Sequence, residues 1–174
     1  TPVTKWGSVI FTDFAVSTEE GKQQIRVIEA IEGQLVTNEL VLPALIQNGL
    51  IVSDVANDIL KIAVVNRYTK DAPVATAFIK NFGLKKGALA STVAHDCHNI
   101  VAVGADDVAI TAAVNALIES KGGIAVAEDA NTVLSMPLPI AGLMSAEDGH
   151  TVAAQYAALD AKAKELGTSL KAPF

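Results

Sequence analysis

The sequence ASTVAHDCHNIVAV, residues 90–103, sets two short β-prone runs on either side of a polar segment. Residues 90–94 and 100–103 are mostly small and apolar, while residues 95–99 hold two of the chain's three histidines and its single cysteine. Two runs of this kind around a short polar segment predict two strands joined by a tight connection. The connection then lies at an end of the sheet, where exposed backbone and side chains converge on a ligand.

The polar segment supplies the candidate catalytic residues His95, Asp96 and His98. Clustered histidine, aspartate and cysteine side chains indicate a functional site. A structural alternative stays open, in which the histidines cap backbone groups or face water at an ordinary hairpin tip. His-x-x-His spacing puts both imidazoles on one side in a turn or helix but on opposite faces of a straight strand, so metal binding requires a turn. Cys97 beside His98 is not a convincing nucleophile–base pair, because neighbouring side chains in extended backbone point apart.

The composition limits the classes of protein to which the chain can belong. Its 174 residues suffice for one domain, and 51% are hydrophobic but only 5% aromatic, so small aliphatic side chains must fill the core. Such a core suits helices packed closely on a sheet. The net charge is −6 and no cluster of lysine and arginine is present, which argues against nucleic-acid binding.

Features of secreted and membrane proteins are also missing from the sequence. A single cysteine excludes an internal disulfide and is compatible with a reducing compartment. No signal peptide and no apolar run long enough to cross a membrane is present. We therefore expect a cytoplasmic protein that does not bind membranes.

The periodicity predicts an α/β fold, with mixed β-sheet layers built from hairpins and covered by amphipathic helices. Residues 1–22 are interpreted as a lead-in or linker from an upstream domain, and 23–174 as a single domain. Pro43 and Asn48-Gly49 indicate a loop. The predicted strands cover residues 23–31, 34–42, 59–65, 74–82, 90–94, 100–103, 124–127 and 132–136, and the predicted helices cover 106–120 and 146–166.

Three further residues are candidates for substrate binding. Arg67 follows the predicted strand 59–65, and Ser91 and Asn99 lie near the two ends of the histidine segment. For Arg67 the alternative is a solvent-facing side chain in an ion pair, which is weak when exposed.

The apolar segment 137–144 contains two prolines, which exclude a central strand. Apolar residues in a loop pack against the body of the protein or against another domain, and this segment is also the candidate self-association surface. Ser145 and Asp148 follow it with spacing similar to that of a capping box, which predicts that the second helix begins there.

Several longer motifs resemble the C-terminal domain of adenine deaminases, a family within the amidohydrolase superfamily. Residues 94–99, AHDCHN, resemble the family's AHDSHN-type motif. Residues 82–88, FGLKKGA, match its F-G-L-K-x-G-A run, and residues 138–145, LPIAGLMS, match its closing signature. Residues 61–64 followed by Arg67 resemble its K-x-A-V…R segment, and the resemblance extends over nearly the whole chain.

The resemblance implies one part of a longer adenine deaminase, a metal-dependent aminohydrolase that acts on a cyclic amidine and converts adenine into hypoxanthine and ammonia. The family's metal-binding barrel, with its His-x-His strand, is missing from this sequence. Iron, manganese or zinc is therefore expected in that barrel and no cofactor in this chain, and the isolated chain is expected to be inactive. The histidine segment is expected to cover or complete the barrel's active site. Adenine, the barrel domain and further copies of the chain are the expected partners.

Two other interpretations stay open. A self-sufficient metal enzyme would use His95 and His98, with Asp96 or His150, as ligands, and metal analysis of the pure chain would identify it. A non-catalytic ligand-binding or oligomerisation module would instead use segment 137–144 as its self-association surface.

Overall fold

A computed structural model describes residues 9–17, 24–69, 72–95 and 97–174. The strands are β1 (Val16–Ser17), β2 (Gln24–Glu29), β3 (Asn38–Pro43), β4 (Leu45–Gln47), β5 (Leu50–Val52), β6 (Ile59–Val65), β7 (Ala75–Lys80), β8 (Ala88–Ser91), β9 (Ile100–Gly104), β10 (Gly123–Ala127) and β11 (Val133–Pro137). The α-helices are α1 (Asp107–Glu119) and α2 (Gly149–Glu165), and short 3-10 helices cover Phe11–Phe14 and Val55–Asn57.

Eight strands form one mixed sheet in the order β11-β10-β8-β9-β6-β7-β2-β3. Neighbouring strands in it are antiparallel except β2 and β7, which run parallel. The hairpins expected from the sequence are present as β2–β3, β8–β9 and β10–β11. A smaller sheet, β1-β5-β4, shares an apolar cluster with the large sheet through Ile51, Val27 and Phe78. The predicted α/β fold with a mixed sheet is confirmed.

The sheet face toward α1 is lined by small side chains, which lets the helix approach closely. Four alanines form a row of register partners across β10, β8, β9 and β6, namely Ala125, Ala90, Ala102 and Ala63. All four are buried in one apolar cluster with Ile110 of α1. The shortage of aromatic residues therefore has the consequence expected from the sequence, a helix packed tightly on the sheet.

The opposite face carries larger side chains and packs against α2. Val126, Leu89 and Val103 are register partners in the adjacent row, and they share an apolar cluster with Leu159 and Leu166. Alternate residues of each central strand thus face different helices. A sheet covered on both faces needs strands that are apolar throughout, which explains the nearly continuous apolar run of β6.

Both α-helices begin at an aspartate cap. The Asp106 carboxylate accepts a hydrogen bond from the Ala109 amide at 2.8 Å, so α1 begins as predicted. The carboxylate of Asp148 caps α2, which begins at Gly149. The predicted start near 146 is wrong, because the Ser145 hydroxyl accepts from an amide in a turn that precedes the helix. Among the helices of the described ranges, none has the length and apolar character needed to cross a bilayer.

Residues 43–53, expected to be a loop, contain the β4–β5 hairpin. Asn48 and Gly49 have φ values of 51° and 77°, as in the two-residue type I′ turn that matches the twist of paired strands. The Asn-Gly pair is a hairpin signal, but strands of three residues are too short to show a periodicity.

Part of the predicted lead-in packs against the body. Val9 and Phe14 are buried in the apolar cluster under α1. Asn115 of α1 accepts a hydrogen bond from the Val9 amide and donates one to the Val9 carbonyl, both at 2.9 Å. Residues 1–8 and 18–23 lie outside the described residues, so the boundary between 22 and 23 stays a prediction.

Glu128 joins two parts of the chain through an ion-pair network. Its carboxylate lies 2.5 Å from the ammonium of Lys86, which precedes β8, and 2.5 Å from that of Lys162 in α2. The hydrogen bond from Lys162, followed by that from Lys86, lowers the pKa of Glu128.

Glu128→Gln is expected to lower stability at neutral pH and to have little effect in acid. A carboxylate whose pKa is lowered on folding contributes stability that is present above its unfolded pKa of about 4.3 and is lost as the pH falls through the folded value. The difference in Tm between wild type and variant is therefore expected to shrink steadily below about pH 4. A difference that stays constant between neutral and acidic pH would show that the carboxylate charge contributes nothing.

Candidate functional site

The histidine segment connects two central strands of the large sheet. β8 and β9 pair antiparallel as predicted, but their connection spans residues 92–99 and is longer than a tight turn. Within it the His98 amide donates to the Ala94 carbonyl at 2.8 Å and closes a local turn. His95 and His98 therefore belong to one turn at an end of the sheet. Residues 92–99 are termed the histidine loop.

Arg67 is buried beside the histidine loop, with only 2% of its surface exposed. Its Nη2 donates to the carbonyls of Lys121 and Ala141, both at 3.2 Å, and its Nη1 donates to the His98 carbonyl at 3.5 Å. The Arg67 amide also donates to Asn99 Oδ1 at 3.4 Å. A solvent-facing arginine in an ion pair is therefore the wrong expectation, since the guanidinium binds backbone carbonyls. Direct substrate binding by Arg67 stays a prediction.

Thr92 and Gly142 lie beside Arg67, although their residue types alone do not identify them as part of a functional site. Thr92 is fully buried, and its hydroxyl donates to the Gly142 carbonyl at 2.5 Å and accepts from the Gly123 amide at 2.8 Å. A Cβ at Gly142 would lie 2.0 Å from Arg67 Nη1, so only glycine fits beside the guanidinium. In the sequence, Gly142 is marked only by its place in the LPIAGLMS motif, residues 138–145.

The two histidines of the loop differ in their surroundings. His95 is exposed, whereas His98 is half-buried. Nδ1 of His98 is buried and has no hydrogen-bond partner among the described residues. The Tyr68 hydroxyl donates to the His98 carbonyl at 3.3 Å, so the backbone of His98 is held from two sides. Asp96, the third predicted catalytic residue, lies outside the described residues.

Ser91 and Asn99 are half-buried at the two ends of the loop. The Ser91 hydroxyl accepts from the Val93 amide at 3.0 Å and also lines an apolar cavity of about 190 Å³ that Phe174 borders. Sites for drug-sized ligands usually measure about 300–1,000 Å³, so this cavity is smaller than most of them. The substrate-binding roles of Ser91 and Asn99 stay predictions.

Exposed apolar side chains lie in and beside the histidine loop. Val93 and Met144 are 41% and 57% exposed and line one groove of about 600 Å³ with Tyr156 of α2. Ile140 is bridged to Met144, and Tyr68 contacts the loop at His98. Tyr68, Val93, Ile140 and Met144 are termed the apolar rim. Contiguous exposed apolar side chains are typical of interaction surfaces.

Metal-ligating side chains do not cluster within the described residues, which do not include Asp96. In residues 9–17, 24–69, 72–95 and 97–174, no three histidine, cysteine, aspartate or glutamate side chains lie close enough to act as ligands together. Catalytic zinc sites, for comparison, use three protein ligands.

Comparisons with known proteins find relatives that are much longer than this chain. The chain is 52% identical over 158 residues to an adenine deaminase of Methanosarcina mazei and 50% identical over 163 residues to one of Salinibacter ruber. These matches cover 91% and 93% of the chain but only 28% and 29% of the relatives. The chain thus spans less than a third of the length of these curated relatives.

A family model described as the adenine deaminase C-terminal domain matches residues 34–174. The matched range includes the histidine loop, Arg67 and the Gly142 segment, which the fold brings together although they are far apart in sequence. This match over most of its length shows that the chain belongs to the adenine deaminase C-terminal domain family.

Proposed function

We propose that this chain is part of an adenine deaminase and presents its histidine loop to the active site of a separate, metal-bearing barrel domain. The reaction is a hydrolysis. Water adds at C6 of adenine, the bond from C6 to the amino nitrogen breaks, and the products are hypoxanthine and ammonia. Relatives named adenine deaminase, more than three times as long as the matched segment, support this proposal.

The unpaired Nδ1 of His98 is the observation that carries the proposal. Leaving a buried polar atom without a partner costs about 1–3 kcal/mol, so such an atom needs an explanation. An imidazole nitrogen donates or accepts a hydrogen bond according to its tautomer. A ring nitrogen of adenine or a reacting group in the barrel would supply the missing partner, and His98 would then orient the base or move a proton.

His95 is proposed to act from the same turn as His98. Its side chain is exposed, so it is accessible to a substrate bound against the loop. An imidazole can hold and transfer a proton, and His95 is proposed to protonate the departing amino group. Asp96 is proposed to orient one of the two imidazoles.

The apolar rim is proposed to pack against the barrel domain. Val93 belongs to the loop that carries His95 and His98, and Tyr68 contacts this loop at His98, so burying the rim would bring the loop to the partner's surface. Iron, manganese or zinc is proposed to lie in the barrel domain, as the resemblance to adenine deaminases implies.

The isolated 174-residue chain is expected to release no ammonia from adenine, with or without added iron or manganese. The full-length enzyme is expected to release ammonia under the same conditions, because the activated water belongs to the barrel. Ammonia release and metal content would be measured on both proteins. Metal-dependent deamination by the pure chain would contradict the two-domain site and identify a self-sufficient metal enzyme.

An oligomerisation module is the second candidate, and the apolar rim favours it. Met144→Glu would separate the two, because it places a charge in the rim without changing the histidine loop. If the wild-type chain sediments as an oligomer and the variant as a monomer while the full-length variant keeps its activity, the rim joins copies of the chain and not the barrel.

A further inference from the structure

The three carbonyls that accept from the Arg67 guanidinium share an unusual backbone conformation. The φ values are 48° at His98, 64° at Lys121 and 59° at Ala141, all in the left-handed region. This region is unfavourable for L-residues because Cβ approaches the following carbonyl oxygen. The other non-glycine residues with positive φ in the described ranges are Asn48, Asp58 and Asn81. Asparagine, aspartate and histidine are enriched in this conformation, whereas lysine and alanine have no such preference.

Arg67 connects these three turns to one another. Each turn also has a backbone hydrogen bond of its own, and the three donors are the amides of His98, Gly122 and Leu143. A guanidinium has five N–H donors in a planar fork, so one buried side chain can bind carbonyls from three separate segments. Backbone held in a sparsely populated region persists only where tertiary contacts determine it. The bonds from Arg67 are tertiary contacts of this kind, and they connect the histidine loop to the end of α1 and to the Gly142 segment.

Two glycines provide the space for the guanidinium. A Cβ at Gly142 would lie 2.0 Å from Nη1 and 2.5 Å from Nη2 of Arg67, and a Cβ at Gly122 would lie 2.5 Å from the Gly142 Cα. Both glycines have positive φ, at 76° and 123°. The surroundings of Arg67 are therefore shaped for this side chain.

We propose that Arg67 is a positioning residue, which holds the histidine loop in the conformation that presents His98 to the substrate. Its guanidinium is buried and its donors bind the backbone, so it acts through the loop and not by contact with adenine. The catalytic part of this inference rests on the proposed function, whereas the holding of the loop is a property of this chain alone.

Hydrogen exchange on the 174-residue chain tests the holding of the loop. Arg67→Ala is expected to accelerate exchange of the His98 amide at least about tenfold, because the turn closed onto Ala94 opens locally. The amides of Leu89 and Ala102, in central strands, are expected to keep their rates. Guanidinium ion, added well below unfolding concentrations, is expected to restore protection in the variant, and Arg67→Lys to restore it only in part.

Glycine substitutions give a matched pair that leaves Arg67 in place. Gly142 and Gly49 have nearly equal φ values, 76° and 77°, but a Cβ at Gly49 meets no atom within 4 Å. Gly142→Ala is therefore expected to open the loop as Arg67→Ala does, whereas Gly49→Ala adds only backbone strain elsewhere. Arg26→Ala, at an arginine whose side chain is 79% exposed, is the control for losing a guanidinium.

Kinetics of the full-length enzyme test the catalytic part. Arg67→Ala is expected to lower kcat about 100-fold with little change in KM, as small misplacements of catalytic groups do. Unchanged His98 exchange, or equal acceleration at all amides, would overturn the positioning role. A rise in KM at constant kcat would instead identify Arg67 as a substrate-binding residue. If the wild-type enzyme does not deaminate adenine, the proposed function is wrong. The exchange experiment would still show whether Arg67 maintains the conformation of the histidine loop.

Discussion

Replacing His95 or His98 with alanine in the full-length enzyme is expected to lower kcat for adenine by about two to four orders of magnitude, the usual contribution of a positioned acid or base. Tm is expected to stay nearly unchanged for His95→Ala and to fall slightly for His98→Ala, because alanine does not favour the left-handed φ of 48° at this position. His95 is exposed, and surface substitutions usually change stability by less than about 0.5 kcal/mol. His98→Ala removes an unpaired Nδ1 but leaves the carbonyl that binds Arg67. Both kcat and Tm would be measured on the same preparations.

Two variants serve as controls for the histidine substitutions. His98→Asn removes the imidazole while allowing the φ of 48°, because asparagine tolerates left-handed backbone. It is expected to lose as much activity as His98→Ala. His150, exposed at the start of α2, lies outside the histidine loop, and His150→Ala is expected to keep wild-type turnover. A lowered Tm with normal activity per folded molecule in the loop variants would support a structural role.

Asp107→Asn is expected to produce the largest loss of stability. Lys61 lies in the central strand β6 with 1% of its side chain exposed, and its ammonium is 2.6 Å from the Asp107 carboxylate at the start of α1. The substitution leaves this ammonium buried without its counter-ion, and breaking a buried pair in this way costs about 3–5 kcal/mol. Urea unfolding at neutral pH would measure the decrease in the free energy of unfolding.

Lys61→Met provides the comparison for this ion pair. Methionine keeps the apolar stem, and the remaining Asp107 is 23% exposed and retains some solvation, so a smaller loss is expected. Arg26→Ala breaks an exposed ion pair with Glu39 and is expected to lower the free energy of unfolding far less than Asp107→Asn does. A loss for Asp107→Asn as small as that for Arg26→Ala would contradict the importance of burial.

Local patterns predict the strands well where both the apolar run and its ends are clear. The predicted strand 59–65 coincides with β6, because a strand covered on both faces is apolar throughout and turn residues bound it. The β4–β5 hairpin escapes such prediction, since its strands are too short for a period. The pairing of Lys61 with Asp107 also escapes it, because the sequence does not give the order of strands that brings α1 over β6.

The candidate site is predictable only in part, for a related reason. The histidine loop is visible as a cluster of reactive residue types between two strands. The burial of Arg67 cannot be predicted from the sequence, because its carbonyl partners lie 31, 54 and 74 residues away in the chain. Such contacts depend on the packing of segments that local periodicity treats separately.

The two faces of the large sheet differ in how far their side chains can change in size during evolution. Toward α1 a Cβ at Gly104 would lie 2.5 Å from the Ile110 side chain, so the small residues there cannot grow without displacing the helix. Toward α2 the larger side chains of Leu89, Val103 and Met136 can exchange volume with one another. Descendants of this domain can therefore repack the α2 side, while the α1 side is inherited with its residue sizes fixed.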